Sequence, residues 1–101
     1  MENYWVLSGE IVKIRDHVSY DIGATVTVRC SSKRKDCDTS SIVEVQLVIP
    51  ELMWRELTRK GLKPYSLARF EGHFETWCND TDNNLKIKLK HVVDEAEVLK
   101  V

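Results

Sequence analysis

The chain holds little of what most function classes require. Its three cysteines, Cys30, Cys37 and Cys78, form no CxxC pair. An odd set of separated thiols suits a reducing compartment better than a disulfide scaffold. No apolar run approaches the ~20 residues of a membrane-spanning helix. Met1-Glu2-Asn3 also lacks the basic start of a secretory signal. A cytoplasmic protein with no membrane partner is expected. There is no phosphate-cradling glycine loop, and His17, His73 and His91 stand apart, at no catalytic spacing. Neither an enzyme nor a cofactor is therefore expected. A metal site from Cys30, Cys37, Cys78 and His73 matches no zinc spacing; small apolar or loop thiols are the simpler reading, with Cys37 the most reactive. Repeats and low-complexity segments are absent. At 101 residues the chain has the length of one domain with one core. A formal net charge of -1 means that attraction to a polyanion must come from local patches.

What the chain does hold is alternation. In Ile42 to Ile49, Val43, Val45, Leu47 and Ile49 fall on one face and Glu44 and Gln46 on the other, which describes a half-buried strand. A short helix follows: Pro50 suits a first helical position, Glu51 the positive helix end, and Arg59, Lys60 and Gly61 the close. Met53, Trp54 and Leu57 form its apolar side, turned toward the barrel end rather than toward a ligand. From Leu67 to Trp77, Ala68, Phe70, Gly72, Phe74 and Thr76 alternate with Arg69, Glu71, His73, Glu75 and Trp77; the central Gly72 suggests a bulge. Upstream, Trp5, Leu7, Gly9 and Ile11 alternate with Val6, Ser8 and Glu10. Tyr20 to Gly23 reads as a turn, and Val26 and Val28 mark a strand over Ala24 to Cys30. Downstream, a polar turn over Asn79 to Asn84 precedes Leu85, Ile87 and Leu89, which alternate with Lys86, Lys88 and Lys90. Three strands, one helix and two strands is the order of an all-β, five-stranded OB-fold Greek-key barrel with its helix between strands 3 and 4. The barrel is expected over residues 4–93 of a single domain. Residues 94–101 form an extension in which Asp94, Glu95 and Glu97 begin a short helix or accompany an edge strand.

Several segments carry a family resemblance: Leu7-Ser8-Gly9; Gly23-Ala24-Thr25-Val26-Thr27-Val28 leading into Cys30-Ser31-Ser32; Val45-Gln46-Leu47-Val48; and Lys60-Gly61 followed by the run from Ala68 to Trp77 with its central Glu71-Gly72. From Leu7 to Val93 the chain resembles bacterial single-stranded DNA-binding proteins and the related primosomal replication protein. The resemblance implies an OB barrel that binds single-stranded DNA, with RNA as the alternative strand. It further implies a homo-oligomer, dimer or tetramer, with partners among replication or recombination proteins. It sets Trp77 near a base-stacking position and the Lys33-Arg34-Lys35 loop over the nucleic-acid face. Two departures stand out. Strand 3 offers Ile42, Glu44, Gln46 and Val48 where the family has outward rings, and the chain stops at Lys100-Val101 without the family's acidic, partner-recruiting tail. Both fit a specialised or accessory protein of DNA replication, recombination or plasmid and mobile-element maintenance.

A strand-binding surface needs cations that follow the phosphates and rings that take unstacked bases. Lys86, Lys88 and Lys90 share one strand face; with Arg29, His73 and the Lys33, Arg34 and Lys35 loop they are the candidate phosphate contacts, and Trp77 is the candidate stacking ring. The same charges also serve solubility, and a rim indole can pack on the loop beside it. The competing function is a protein-interaction barrel without nucleic acid. There Tyr4, Trp5, Val6, Ile42 and Val48 would bury against a partner or a second copy, although core packing competes for Tyr4 and Trp5.

Overall fold

The alternating segments become five strands and one helix: β1 (Trp5–Asp16), β2 (Ile22–Lys33), β3 (Ser40–Pro50), α1 (Glu51–Arg59), β4 (Leu67–Thr81) and β5 (Asn84–Lys100). The structure is a computed structural model that describes residues 2–16, 21–33, 40–81 and 84–101; for Lys33, 77–81 and 84–87 the description is of the backbone. Hydrogen bonds close the strands into a barrel in the order β1-β2-β3-β5-β4, with β1 returning to β4. Every pairing is antiparallel except β3 with β5, which touch in parallel at Leu47–His91 and Val48–Val92. This is the OB fold that the strand order predicts.

Inside the barrel the period-2 faces hold. Ile11, Val26, Val28, Leu47, Ile49, Ala68 and Phe70 are fully buried, and Val93 and Leu57 nearly so. Each large apolar side chain removed from water contributes about 1.5–3 kcal/mol. Trp5 joins this core, its indole N–H donating to the carbonyl of His73 (2.9 Å). The β4–β5 ladder is irregular between Glu71 and Gly72, the bulge that a strand-centre glycine suggests.

Several boundaries differ from expectation. Pro50 is not the first helical residue: it is the N-cap of α1 and also ends β3, paired with Ile22. Ile22 and Gly23 belong to β2 rather than to a turn, and Tyr20 lies outside the described residues. Gly23 sits beneath α1, where a Cβ would strike Trp54 and come within 2.9 Å of the Glu51 Cα. The helix thus closes the barrel end where β2 begins. Its own end is a Schellman close. The Gly61 N–H donates to Thr58 O and the Leu62 N–H to Leu57 O, both 3.0 Å, with Gly61 at φ 91° and Leu57 and Leu62 in the core. The following turn, Lys63 to Ser66, holds Tyr65 at φ 75°. It is fastened to β1 by Ile11 N–H to Ser66 O (2.9 Å) and Tyr65 N–H to Ile11 O (2.7 Å). Ile11, register partner of Val28, thus bonds this turn through its backbone at the point where the β1–β2 register shifts.

The polar segment expected as a turn is mostly strand. Asn79, Asp80 and Thr81 extend β4 and Asn84 opens β5; Asp82 and Asn83 lie outside the described residues. Residues 94–100 are neither a helix nor a further strand but the continuation of β5 along β4. Beyond the short β3–β5 contact, β2–β3 and β4–β5 run on as two-stranded arms reaching Lys33–Ser40 and Thr81–Asn84. There the apolar face loses the barrel's cover, so Leu89 (59% exposed) and Val43 (40%) are open instead of facing a core.

Candidate nucleic-acid interface

Because β3 and β5 pair over two rungs only, a groove of about 540 Å³ opens beside that contact, lined by Glu44, Val45, Gln46 and Val48 from β3 and Lys88, Leu89, Lys90 and His91 from β5. Two of the three expected lysines, Lys88 and Lys90, therefore share a groove wall. Lys86 is seen in backbone only, paired with Asn79. Register sets Trp77 directly opposite Lys88 and Glu75 opposite Lys90, so the stacking candidate shares a rung of the β4–β5 ladder with one lysine of the basic stripe. Lys33 ends β2 and is likewise described by its backbone; Arg34 and Lys35 lie outside the described residues.

Two other expected phosphate contacts have acidic partners. The guanidinium of Arg29 donates to Glu44 Oε1 at 3.1 Å across the β2–β3 ladder, both side chains being about half exposed. His73 lies between two carboxylates, Nδ1 at 2.8 Å from Asp94 Oδ2 and Nε2 at 3.1 Å from Glu75 Oε2. The hydrogen bond to Asp94, with Glu75 adding to it, holds the His73 pKa above its ordinary value. Its charge is thus engaged by carboxylates rather than offered to a phosphate.

Among the interface candidates, Tyr4 (65% exposed), Val6 (41%) and Ile42 (73%) are open, and Val48 is half-buried at the groove. Trp5, only 8% exposed, belongs to the core cluster, where the competing core-packing reading put it, and leaves little surface for a partner. Trp54 packs on the core as its spacing predicts, with its indole N–H donating to Asp16 Oδ1 (3.0 Å). Among the described residues no cluster of His, Cys, Asp and Glu is placed to hold a metal ion. Burial pushes the Cys30 thiol up from its ordinary pKa; Cys37 lies outside the described residues and Cys78 is described by its backbone.

Sequence reasoning missed His91, which it set aside as an unaccompanied histidine. Its ring meets Trp5 edge-on (centroids 5.7 Å apart) and Phe74 (4.9 Å). Burial lowers its pKa and keeps the imidazole neutral near neutral pH. A signal was present: the parity of Leu85, Ile87 and Leu89, carried one step further, reaches His91.

No family model matches the sequence, and no curated protein matches it in sequence. In three dimensions the chain is similar to Rim1, a mitochondrial single-stranded DNA-binding protein from S. cerevisiae, with a TM-score of 0.68 and 12% identity over 97% of this chain and 95% of that one. It is also similar to the Plasmodium falciparum SSB in complex with ssDNA, with a TM-score of 0.69 and 16% identity over 100% of this chain and 96% of that one. At such identities the likeness is one of fold.

Proposed function

We propose that this chain binds single-stranded DNA without reading its sequence, along the groove between the two arms. On this reading it is a specialised or accessory member of the bacterial single-stranded DNA-binding and primosomal replication protein group, acting in DNA replication, recombination or the maintenance of plasmids or mobile elements. The observation that carries the reading is the placement of Lys88 and Lys90 on the wall of an open groove, with Trp77 paired to Lys88 on the neighbouring strand. The groove is set in a barrel whose fold neighbours are single-stranded DNA-binding proteins. Lysines there would track the phosphates and Trp77 would stack a base, a combination that needs no base-edge readout. Assembly of barrels into a dimer or tetramer and contact with replication or recombination proteins belong to the same proposal.

The test is fluorescence anisotropy of a labelled thirty-base oligothymidine at low and moderate salt, repeated with Trp77→Ala and with a Lys86, Lys88, Lys90→Glu triple variant. Saturable binding that salt weakens, and that both variants weaken, is the expected result. Unchanged binding in both folded variants would reject the site, and no binding by the unaltered protein would reject the function. That last outcome would favour the second reading, a protein-interaction barrel, which rests on the exposure of Ile42, Val43, Tyr4 and Val6.

A further inference from the structure

A bound strand needs a surface for its bases, and the outer face of β3 offers Ile42, Glu44, Gln46 and Val48, none of them a ring. We infer that His91 is a base-stacking residue that takes one nucleobase of the bound strand into the groove between β3 and β5. This inference rests on the strand-binding reading above.

Among the described groove residues His91 is the one aromatic side chain. It is braced edge-on by Trp5 and Phe74, at interplanar angles of 63° and 66°. Trp5 is itself fixed by burial and by its hydrogen bond to the His73 carbonyl. A ring held this way has little rotamer freedom left to lose, so stacking on it costs less than ordering a free surface side chain. Imidazole is among the rings on which proteins stack splayed bases. In its neutral form it keeps one donor and one acceptor nitrogen.

The surroundings suit the same ligand. Val45 and the exposed Leu89 give apolar surface that an entering base would remove from water. Gln46, on the opposite wall, carries both a donor and an acceptor for a base edge. Lys88 and Lys90, two residues apart on β5, stand where the phosphates flanking an inserted base would pass. At about 540 Å³ the groove falls within the roughly 300–1,000 Å³ range of small-ligand clefts.

The experiment is an oligothymidine titration of the full chain, of His91→Leu and of His91→Phe, with the imidazole signals of ¹³C-labelled histidine followed in the unaltered protein. His91→Leu should weaken binding about five- to 150-fold, the equivalent of the ~1–3 kcal/mol lost with one stacked base. His91→Phe, which keeps a ring, should bind at least as tightly as the unaltered protein. The His91 signal should move on binding while that of His73, outside the groove, stays. Equal binding by folded His91→Leu, or a stationary His91 signal in a protein that does bind, overturns the inference and leaves the strand-binding reading standing. If His91→Leu does not fold, the imidazole signal alone decides. Absence of any binding overturns both.

Discussion

His73 and His91 occupy adjacent rungs of the β4–β5 ladder, opposite Val92 and Phe74 respectively, so their side chains leave on opposite faces and meet opposite surroundings. The carboxylates of Asp94 and Glu75 raise the His73 pKa from 6.5. Folding therefore favours protonated His73. The stability it contributes is full below about pH 6.5, the unfolded value, and is lost as the pH climbs through the raised folded value. Burial lowers the His91 pKa, so its contribution runs the other way: present above the unfolded value and lost as the pH falls through the depressed one. The His73 effect is isolated by comparing the urea midpoints of the protein and His73→Gln between about pH 6 and pH 9. The gap should be widest at the acid end and close toward the alkaline end. A gap independent of pH would mean that the two carboxylates do not hold the imidazolium.

At the scale of the element, α1 shows why a nine-residue helix is stable only in place. Its surface pairs, Arg55–Glu51 and Arg59–Glu56, lie in water and are screened there, so they add little to its stability. What holds it is Leu57 in the core, Met53 and Trp54 packed on the core, and the backbone close through Gly61 and Leu62. Gly61 sits at φ 91°, a left-handed conformation that costs a residue with a Cβ roughly 1–2 kcal/mol. Gly61→Ala should therefore lower stability by about 1–2 kcal/mol, seen as a fall in thermal midpoint of roughly 4–8 °C per kcal/mol for a domain of this size. Its affinity for oligothymidine should be unchanged, because the close lies at the helix end of the barrel and the groove beyond the β3–β5 contact. A drop in affinity at full folding would show the two ends to be coupled.

Over the whole molecule, charge is arranged rather than accumulated. The net value is -1, and Glu71, Glu75, Asp94, Glu95 and Glu97 lie along the β4–β5 ladder that also carries Lys88 and Lys90 to the groove. Binding should therefore be weak and local. If Lys86, Lys88 and Lys90 each meet one phosphate, the slope of log affinity against log salt is about -2, at roughly -0.7 per contact for a single strand. A slope near zero would remove the phosphates from the interface. One of about -4 or steeper would bring in the lysines and arginine of the 33–35 segment.

By itself the sequence determined the strands, through period-2 alternation in Val26 and Val28, Leu47 and Ile49, or Ala68 and Phe70, and the barrel through their order around one helix. It also determined the helix close, since Lys60-Gly61 is a local signal for a left-handed residue. Tertiary structure alone decided the rest. The alternation of Leu85, Ile87 and Leu89 reads as a core face, yet Leu89 is exposed, because no residue pattern states where the barrel stops and the arm goes on. Arg29 and His73 read as free cations until strand register sets Glu44, Glu75 and Asp94 beside them. His91 gains its braced position from Trp5 and Phe74, one of them at the far end of the chain, and its groove from a parallel contact only two rungs long. Alternation is a local property of the chain, whereas partners across strands and the point at which two strands part are set by closure of the sheet.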